Sequence, residues 1–338
     1  MMTTSPDIRD IQLEQITIDG INTRVATLGE GPAALLIHGW PECWYSWRSQ
    51  MVALAAAGYQ AVAPDMPGFG ETAQLPAVED YNTVRIGRFL LALANHFGGT
   101  PATIVAHDWG AIHTWNFALQ YPDAIQRLVI LSVPLRPSTG VAPTEAFKEH
   151  FGDRFFYQLY FQEPGKAEAD FEKDPRAILE RLYCSPDTPR AEPELGKTLA
   201  GGGGWLERLG RPLEKPGWLS QQDLDYMEEA YRRSGFAGGL NYYRNIDRNW
   251  ELMAPYADQA IRCPTLFMAG TKDNALARAS RDELDRMMAP RVPGLQMELL
   301  EGYGHWIQQE APEAVNEAML NFLARTTSDS GDDVFRSG

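Results

Sequence analysis

The chain has 338 residues, a length that suits one α/β core with an insertion and is too short for two large domains. Apolar residues make up 44% and charged residues 22%, the balance of a globular protein rather than of a disordered or membrane-embedded one. Acidic residues outnumber basic ones 45 to 30, and a net charge of -15 argues against nucleic-acid and anionic-membrane partners.

The opening "MMTTSPDIRD" has no apolar core of signal-peptide length, and no stretch of about eighteen apolar residues follows, so a cytoplasmic protein without a membrane span is expected. "IQLEQITIDGINTRVATLG" alternates around Asp19-Gly20 and predicts a hairpin. "PAALLIHG" predicts a buried strand, "WRSQMVALAAAGY" a helix, and "QAVAPDMPGFG" a strand and a turn-rich loop. "YNTVRIGRFLLALANHFG" reads as an amphipathic helix, "PATIVAH" as a strand, "WGAIHTWNFALQYP" as a helix and "IQRLVILSV" as a strand. Such alternation predicts a mainly parallel sheet with helices on both faces. From Leu135 to about Trp250 the chain is rich in aromatic residues and proline, with helical stretches and a flexible connector at Gly201–Gly204. Strands resume at "CPTLFMAG" and "LQMELLEG", a last helix follows, and the tail is expected to be disordered. The expected organisation is therefore a core (1–134), a helical cap or lid (135–250), the rest of the core (251–325) and a disordered tail (326–338). Cys43, Cys184 and Cys263 are isolated, and neither C-x-x-C nor H-E-x-x-H occurs, so neither disulfides nor a zinc site are expected.

In open α/β sheets chemistry gathers at the C-terminal ends of the strands. Four such ends stand out here: His38-Gly39-Trp40-Pro41, Asp108, Asp273 and His305. Asp108 stands in "IVAHDWGAIH" between a strand and a helix, with Ala106 and Gly110 two residues to either side. That is the small-x-nucleophile-x-small pattern of a nucleophile elbow, although an aspartate before a helix is also an ordinary N-cap. His305 follows the last strand, in the place of a triad base, and Asp273 follows the strand before it, as an orienting acid. Glu301 and Asp258 are weaker alternatives for the acid. The backbone N–H groups of Trp40 and Trp109 are positioned to make an oxyanion hole, and Pro41 is a candidate for a cis bond.

These motifs, "HGWPE", "HDWGA" and "GYGHW", together with "FFYQLYFQEPG" and "GFAGGLNYYRNIDRNW" in the insertion, make the chain resemble an epoxide hydrolase of the α/β-hydrolase fold, soluble (cytosolic) type, over about residues 10 to 325. The resemblance implies an eight-stranded, mainly parallel sheet with a helical lid. It places the lid's two proton-donating tyrosines on Tyr157 and Tyr243, although Tyr160 and Tyr242 are neighbours that sequence alone does not exclude. It makes Asp108 the nucleophile, His305 the general base and Asp273 its orienting acid. Trp40, Trp109, Phe155, Gln158 and Trp306 would line the substrate pocket. The implied reaction adds water to an apolar epoxide, gives a vicinal diol through an Asp108 alkyl ester, and requires no metal or organic cofactor. A monomer or homodimer is expected. Asn274-Ala275 departs from the bulkier apolar residues usual after the acid, which bears on the pocket's shape.

An aspartate suits that chemistry. Its carboxylate attacks an alkyl carbon, and the resulting ester is electrophilic at Cγ, whereas a serine would form an ether that water under a simple base does not hydrolyse. Two alternatives share the framework. One is a haloalkane or haloacid dehalogenase using the same triad. The other is a non-catalytic ligand-binding protein of the same fold.

Overall fold

The computed structural model describes residues 6–138, 140–195 and 203–332. Strands β1 (Gln12–Ile18) and β2 (Ile21–Leu28) pair antiparallel with Ile18 opposite Ile21, leaving Asp19 and Gly20 to make the turn. Both have positive φ, 47° and 78°, the primed-turn geometry whose twist matches a hairpin. The next elements follow the predicted rhythm: β3 (Ala33–Ile37), α1 (Arg48–Ala56), β4 (Gln60–Pro64), α2 (Thr83–His96), β5 (Ala102–His107), α3 (Trp109–Gln120) and β6 (Ile125–Leu131).

The chain then leaves the sheet. Helices α4 (Pro143–Phe151), α5 (Tyr157–Tyr160), α6 (Lys166–Phe171), α7 (Pro175–Leu182), α8 (Gln221–Ser234), α9 (Ala237–Arg244) and α10 (Ile246–Met253) precede β7 (Thr265–Gly270). Among the described residues this stretch contains no ladder strand, only an isolated bridge between Arg190 and Pro212. The core closes with α11 (Arg281–Met288), β8 (Leu295–Leu300), α12 (Ile307–Glu310) and α13 (Pro312–Asp332).

The eight strands lie in the order β1-β2-β4-β3-β5-β6-β7-β8; β2 runs antiparallel to both of its neighbours, β1 and β4, and all other pairings are parallel. β5 and β7 are buried at every position rather than alternating, because helices cover both faces. On one face Met51 and Leu54 of α1 share a cluster with Met319 and Phe322 of α13, and on the other Leu90 and Leu93 of α2 share one with Phe117 of α3. From β3 the chain runs outward to β4 and then returns to the other side of β3 as β5. This reversal opens a crevice above the ends of β3 and β5, the place where such sheets bind ligands. "HGWP" and Asp108 stand there.

Three details differ from the sequence reading. Helix α11 was not anticipated, although Ser280 and Glu283 form a capping box at its start. Helix α10 runs across residue 250, so the return to the core comes at Thr265. Helix α13 continues to Asp332, past residue 325 where a disordered tail was expected; residues 333–338 lie outside the described residues. The Gly201–Gly204 connector falls partly outside them too, and Gly203 and Gly204 lead into a short turn at Leu206–Arg208. No helix among the described residues is long and apolar enough to cross a membrane.

Candidate active site

Asp108 sits at the sharp turn from β5 to α3 with φ 50° and ψ -120°, a conformation that costs a non-glycine residue energy and that tight surroundings must hold. The surroundings are tight. A Cβ on Gly110 would run into the carbonyl oxygens of Ile37 and His38, and one on Gly39 into the Asp108 carboxylate itself. Asp108 makes no side-chain cap bond to α3, so the N-cap alternative does not describe its carboxylate. Instead the Trp40 N–H donates to Oδ1 at 2.7 Å. The Trp109 nitrogen, first in α3, lies 2.7 Å from the space that a Gly39 Cβ would fill, so both expected N–H donors border one small space beside the carboxylate. The Trp40–Pro41 bond is cis.

His305 Nε2 stands 3.5 Å from Asp108 Oδ2. Its Nδ1 faces Asp273, at 2.9 Å from Oδ2 and 3.1 Å from Oδ1. Asp273 also caps the short turn Asn274–Leu276, accepting from the Ala275 N–H at 2.7 Å. Burial works to raise the Asp273 pKa, but the positive charge and hydrogen bond of His305 hold it below the usual carboxylate range. For His305 burial acts downward, yet the Asp273 and Asp108 carboxylates together raise it well above the ordinary histidine value. Asp258 and Glu301, the weaker alternatives for the acid, are exposed.

The tyrosines separate by position. Burial pushes the Tyr157 phenol up to about 12 and Tyr243 well above its ordinary value, and the Asp108 charge adds to both shifts. Both tyrosines line the same cavity as Asp108, and both shifts favour the protonated phenol. Their rings meet edge to face at 6.0 Å. Tyr160 instead directs its hydroxyl to the Lys166 carbonyl and Asp170, at 3.3 and 3.4 Å, and Tyr242 donates to the Pro67 carbonyl at 3.0 Å.

A cavity of about 1480 Å³ joins these groups, and of the residues read as pocket walls Trp40, Trp109, Gln158 and Trp306 line it. Phe155 does not. Its ring packs under the Arg208 guanidinium at 4.5 Å and beside Tyr160, and the neighbouring Phe156 supplies the wall. Residues 155 and 156 precede the short helix α5, and extended backbone sends adjacent side chains to opposite sides. Asn274 and Ala275 also reach the cavity, so the departure noted after Asp273 does bear on its shape.

One buried group was not foreseen. Glu42, the last letter of "HGWPE", is fully buried beneath the site. Its Oε2 accepts from the Gly39 N–H at 3.0 Å and faces His107 Nδ1 at 2.7 Å, while its Oε1 accepts from Gln308 at 2.7 Å. Burial alone would raise the Glu42 pKa, but the His107 charge and hydrogen bonds bring it down to about 2. His107 Nε2 donates to the His305 carbonyl at 2.9 Å, and that carbonyl also accepts from Ser132 at 2.8 Å. The pair thus ties the turn after β3 and the residue before Asp108 to the backbone of His305. Its only sequence signal is a charged residue in the first turn after an apolar strand. His38 is plainer: Nδ1 donates to the Gly39 carbonyl and Nε2 accepts from the Met66 N–H, and burial lowers its pKa to about 4.

Residues 32–312 match the family described as alpha/beta hydrolase fold. Epoxide hydrolase A of Mycobacterium tuberculosis is 42% identical over 312 residues, covering 91% of this chain and 96% of that protein. Epoxide hydrolase 1 of Siraitia grosvenorii is 37% identical, covering 93% and 98%. Among solved structures, epoxide hydrolase A from Mycobacterium thermoresistibile superposes with a TM-score of 0.85 at 39% identity, covering 93% of this chain and 98% of that one. An aspartate on the elbow of an eight-stranded α/β sheet, and relatives matched along nearly their whole length, lead to one assignment: the chain belongs to the α/β-hydrolase fold family and, within it, to the epoxide hydrolases.

Proposed function

We propose that this protein hydrolyses apolar epoxides to vicinal diols through a covalent ester on Asp108, with the helical insertion between β6 and β7 as the lid over the site. The observation that carries this reading is one cavity lined by Asp108, its backbone donor Trp40, His305 and the two tyrosines Tyr157 and Tyr243.

Oδ1 is held by the Trp40 N–H, so Oδ2 is the attacking oxygen. It bonds to a ring carbon while the carbon–oxygen bond of the epoxide breaks. The departing oxygen takes a proton from Tyr157 or Tyr243, which polarise it first. His305, oriented by Asp273, then removes a proton from water, and the hydroxide attacks Cγ. The N–H groups of Trp40 and Trp109 hold the oxyanion. Collapse breaks the Cγ–Oδ2 bond, so the diol leaves with an oxygen from Asp108. The two protons of the water end on the new hydroxyl and on the phenoxide, which restores the enzyme. Aromatic walls from Trp40, Trp109, Phe156 and Trp306 favour alkyl or aryl epoxides.

Two proton donors distinguish this from dehalogenation, because a halide leaves without a proton. Single turnover of styrene oxide in ¹⁸O-water with excess enzyme tests the reading. The first diol should carry no label. Full label in that diol would mean direct attack by water and would end the covalent mechanism. His305→Gln should form the ester and fail to hydrolyse it, giving an adduct of substrate mass by intact-protein mass spectrometry. An unmodified variant would show that His305 acts earlier than assigned.

A further inference from the structure

Trp205 follows the glycines of the connector and was no part of the sequence reading. Its indole lies parallel to the Tyr157 ring, with centroids 4.9 Å apart and planes 11° from parallel. It also stacks on Trp40, at 6.0 Å and 21°. Phe161 meets its edge at 5.3 Å and Phe171 lies 6.1 Å away. The chain that brings it there is held as well. Asp170 Oδ2 accepts from the Leu206 N–H at 3.2 Å and from the Tyr160 hydroxyl at 3.4 Å. A Cβ on Gly204 would run into the Asp170 carboxylate, so only glycine passes so close. Tyr160, the tyrosine turned away from Asp108, therefore helps to anchor the turn that presents Trp205.

Tyr157 sits on a four-residue helix and has little backbone support of its own. Gln158 Nε2 donates to its hydroxyl oxygen at 2.9 Å, which occupies one lone pair and directs the phenol proton elsewhere. Stacking fixes the plane of the ring, and Gln158 fixes the direction of the proton. We propose that Trp205 is a positioning residue for proton donation: its indole holds the Tyr157 phenol in the plane from which the proton reaches the epoxide oxygen. This rests on Tyr157 being a donor, as proposed above.

The two ideas are separable in a double-mutant cycle, read by rapid chemical quench of styrene oxide turnover. At saturating substrate, Trp205→Leu should slow formation of the Asp108 ester by about five- to tenfold, the range that an aromatic stack supports. Ester hydrolysis should stay within about twofold of wild type, since His305 does not touch the stack. Trp205→Phe retains a stacking face and should restore most of the alkylation rate. In a Tyr157→Phe background, Trp205→Leu should cost nothing further. Trp205 also lines the cavity; if the effect of its change persists in full in that background, or appears only as a raised KM, Trp205 serves only as a wall of the pocket and the proposal fails. If Tyr157→Phe alone alkylates at the wild-type rate, the donor assignment fails and takes the proposal with it. Circular dichroism of each variant separates loss of fold, and if the leucine variant does not fold, Trp205→Met, which fills the space without a stacking face, takes its place in the cycle.

Discussion

At the scale of single residues, His305 sits between two carboxylates, and alkylation removes one of them. In the free enzyme Asp273 and Asp108 together keep its pKa well above the ordinary value against the effect of burial. Once Asp108 is a neutral ester, only Asp273 remains, so His305 should lose its proton at lower pH in the ester than in the free enzyme. Base catalysis needs the neutral ring. Ester hydrolysis should therefore rise with pH through that lower value and level off above it, while alkylation should lack this limb. Stopped-flow rates against pH, set beside the His305 titration of the free enzyme by NMR, check the difference; coincident values would remove Asp108 from the argument. Tyr157 and Tyr243 address one oxygen, so either can act when the other is gone. Each single change to Phe should slow alkylation by roughly ten- to a hundredfold, and the double change should nearly abolish it. Near wild-type alkylation in the double variant would reduce the pair to lid packing. Glu42 is buried with His107, and removing one partner of such a pair strands the other, so Glu42→Ala should lower stability by about 3–5 kcal/mol in urea denaturation.

At the scale of elements, the elbow and the lid each depend on a glycine where two backbones meet. Gly110, one residue into α3, lies against the carbonyls at the end of β3, and Gly110→Ala would force the helix that carries Asp108 away from the sheet. Overpacking against backbone costs about 1–3 kcal/mol or more, and here the displacement also moves Asp108, the nucleophile proposed above, so stability and alkylation rate should fall together. Gly238 opens α9 against the backbone of Gly68 in the loop after β4. The same helix carries Tyr242, bonded to the Pro67 carbonyl, and Tyr243, which lines the cavity with Asp108. Gly238→Ala should push this helix outward and slow alkylation with little effect on ester hydrolysis, which does not use Tyr243. Equal slowing of both steps in a rapid-quench experiment would mean a general loss of structure instead.

At the scale of the whole molecule, lid and core are not separate bodies. One apolar cluster contains Ile37 and Ile104 of the sheet together with Phe161, Leu179 and Tyr243 of the insertion. Helix α8 is tied to the core by an ion pair between Arg48 and Asp223 at 3.1 Å, by the Tyr45 hydroxyl on Asp223 at 3.0 Å, and by the Trp44 indole N–H on the Tyr226 hydroxyl at 2.9 Å. Shared packing of this kind couples the two parts in unfolding. Urea transitions followed by tryptophan fluorescence and by far-ultraviolet circular dichroism should coincide. A lid that melts first would separate them.

The sequence by itself determined the sheet and its hairpin, and it singled out Asp108, Asp273 and His305, which the fold brings together. Those features depend on short-range rules: alternation or unbroken apolar runs for strands, Asp-Gly for the turn, and small residues around a tight elbow. It also supplied Tyr157 and Tyr243, but only through resemblance, since a lid tyrosine that donates a proton and one that packs have the same local pattern. Tertiary structure separates them from their neighbours, since whether a tyrosine lines the cavity with Asp108 or bonds to Asp170 or Pro67 depends on how a helix is rotated over a distant strand. It replaced Phe155 with Phe156 on the cavity wall for the same reason. Glu42 with His107, and Trp205 with Tyr157, are pairs between residues 65 and 48 positions apart, brought together only when the crevice at the β3–β5 reversal and the lid above it have formed.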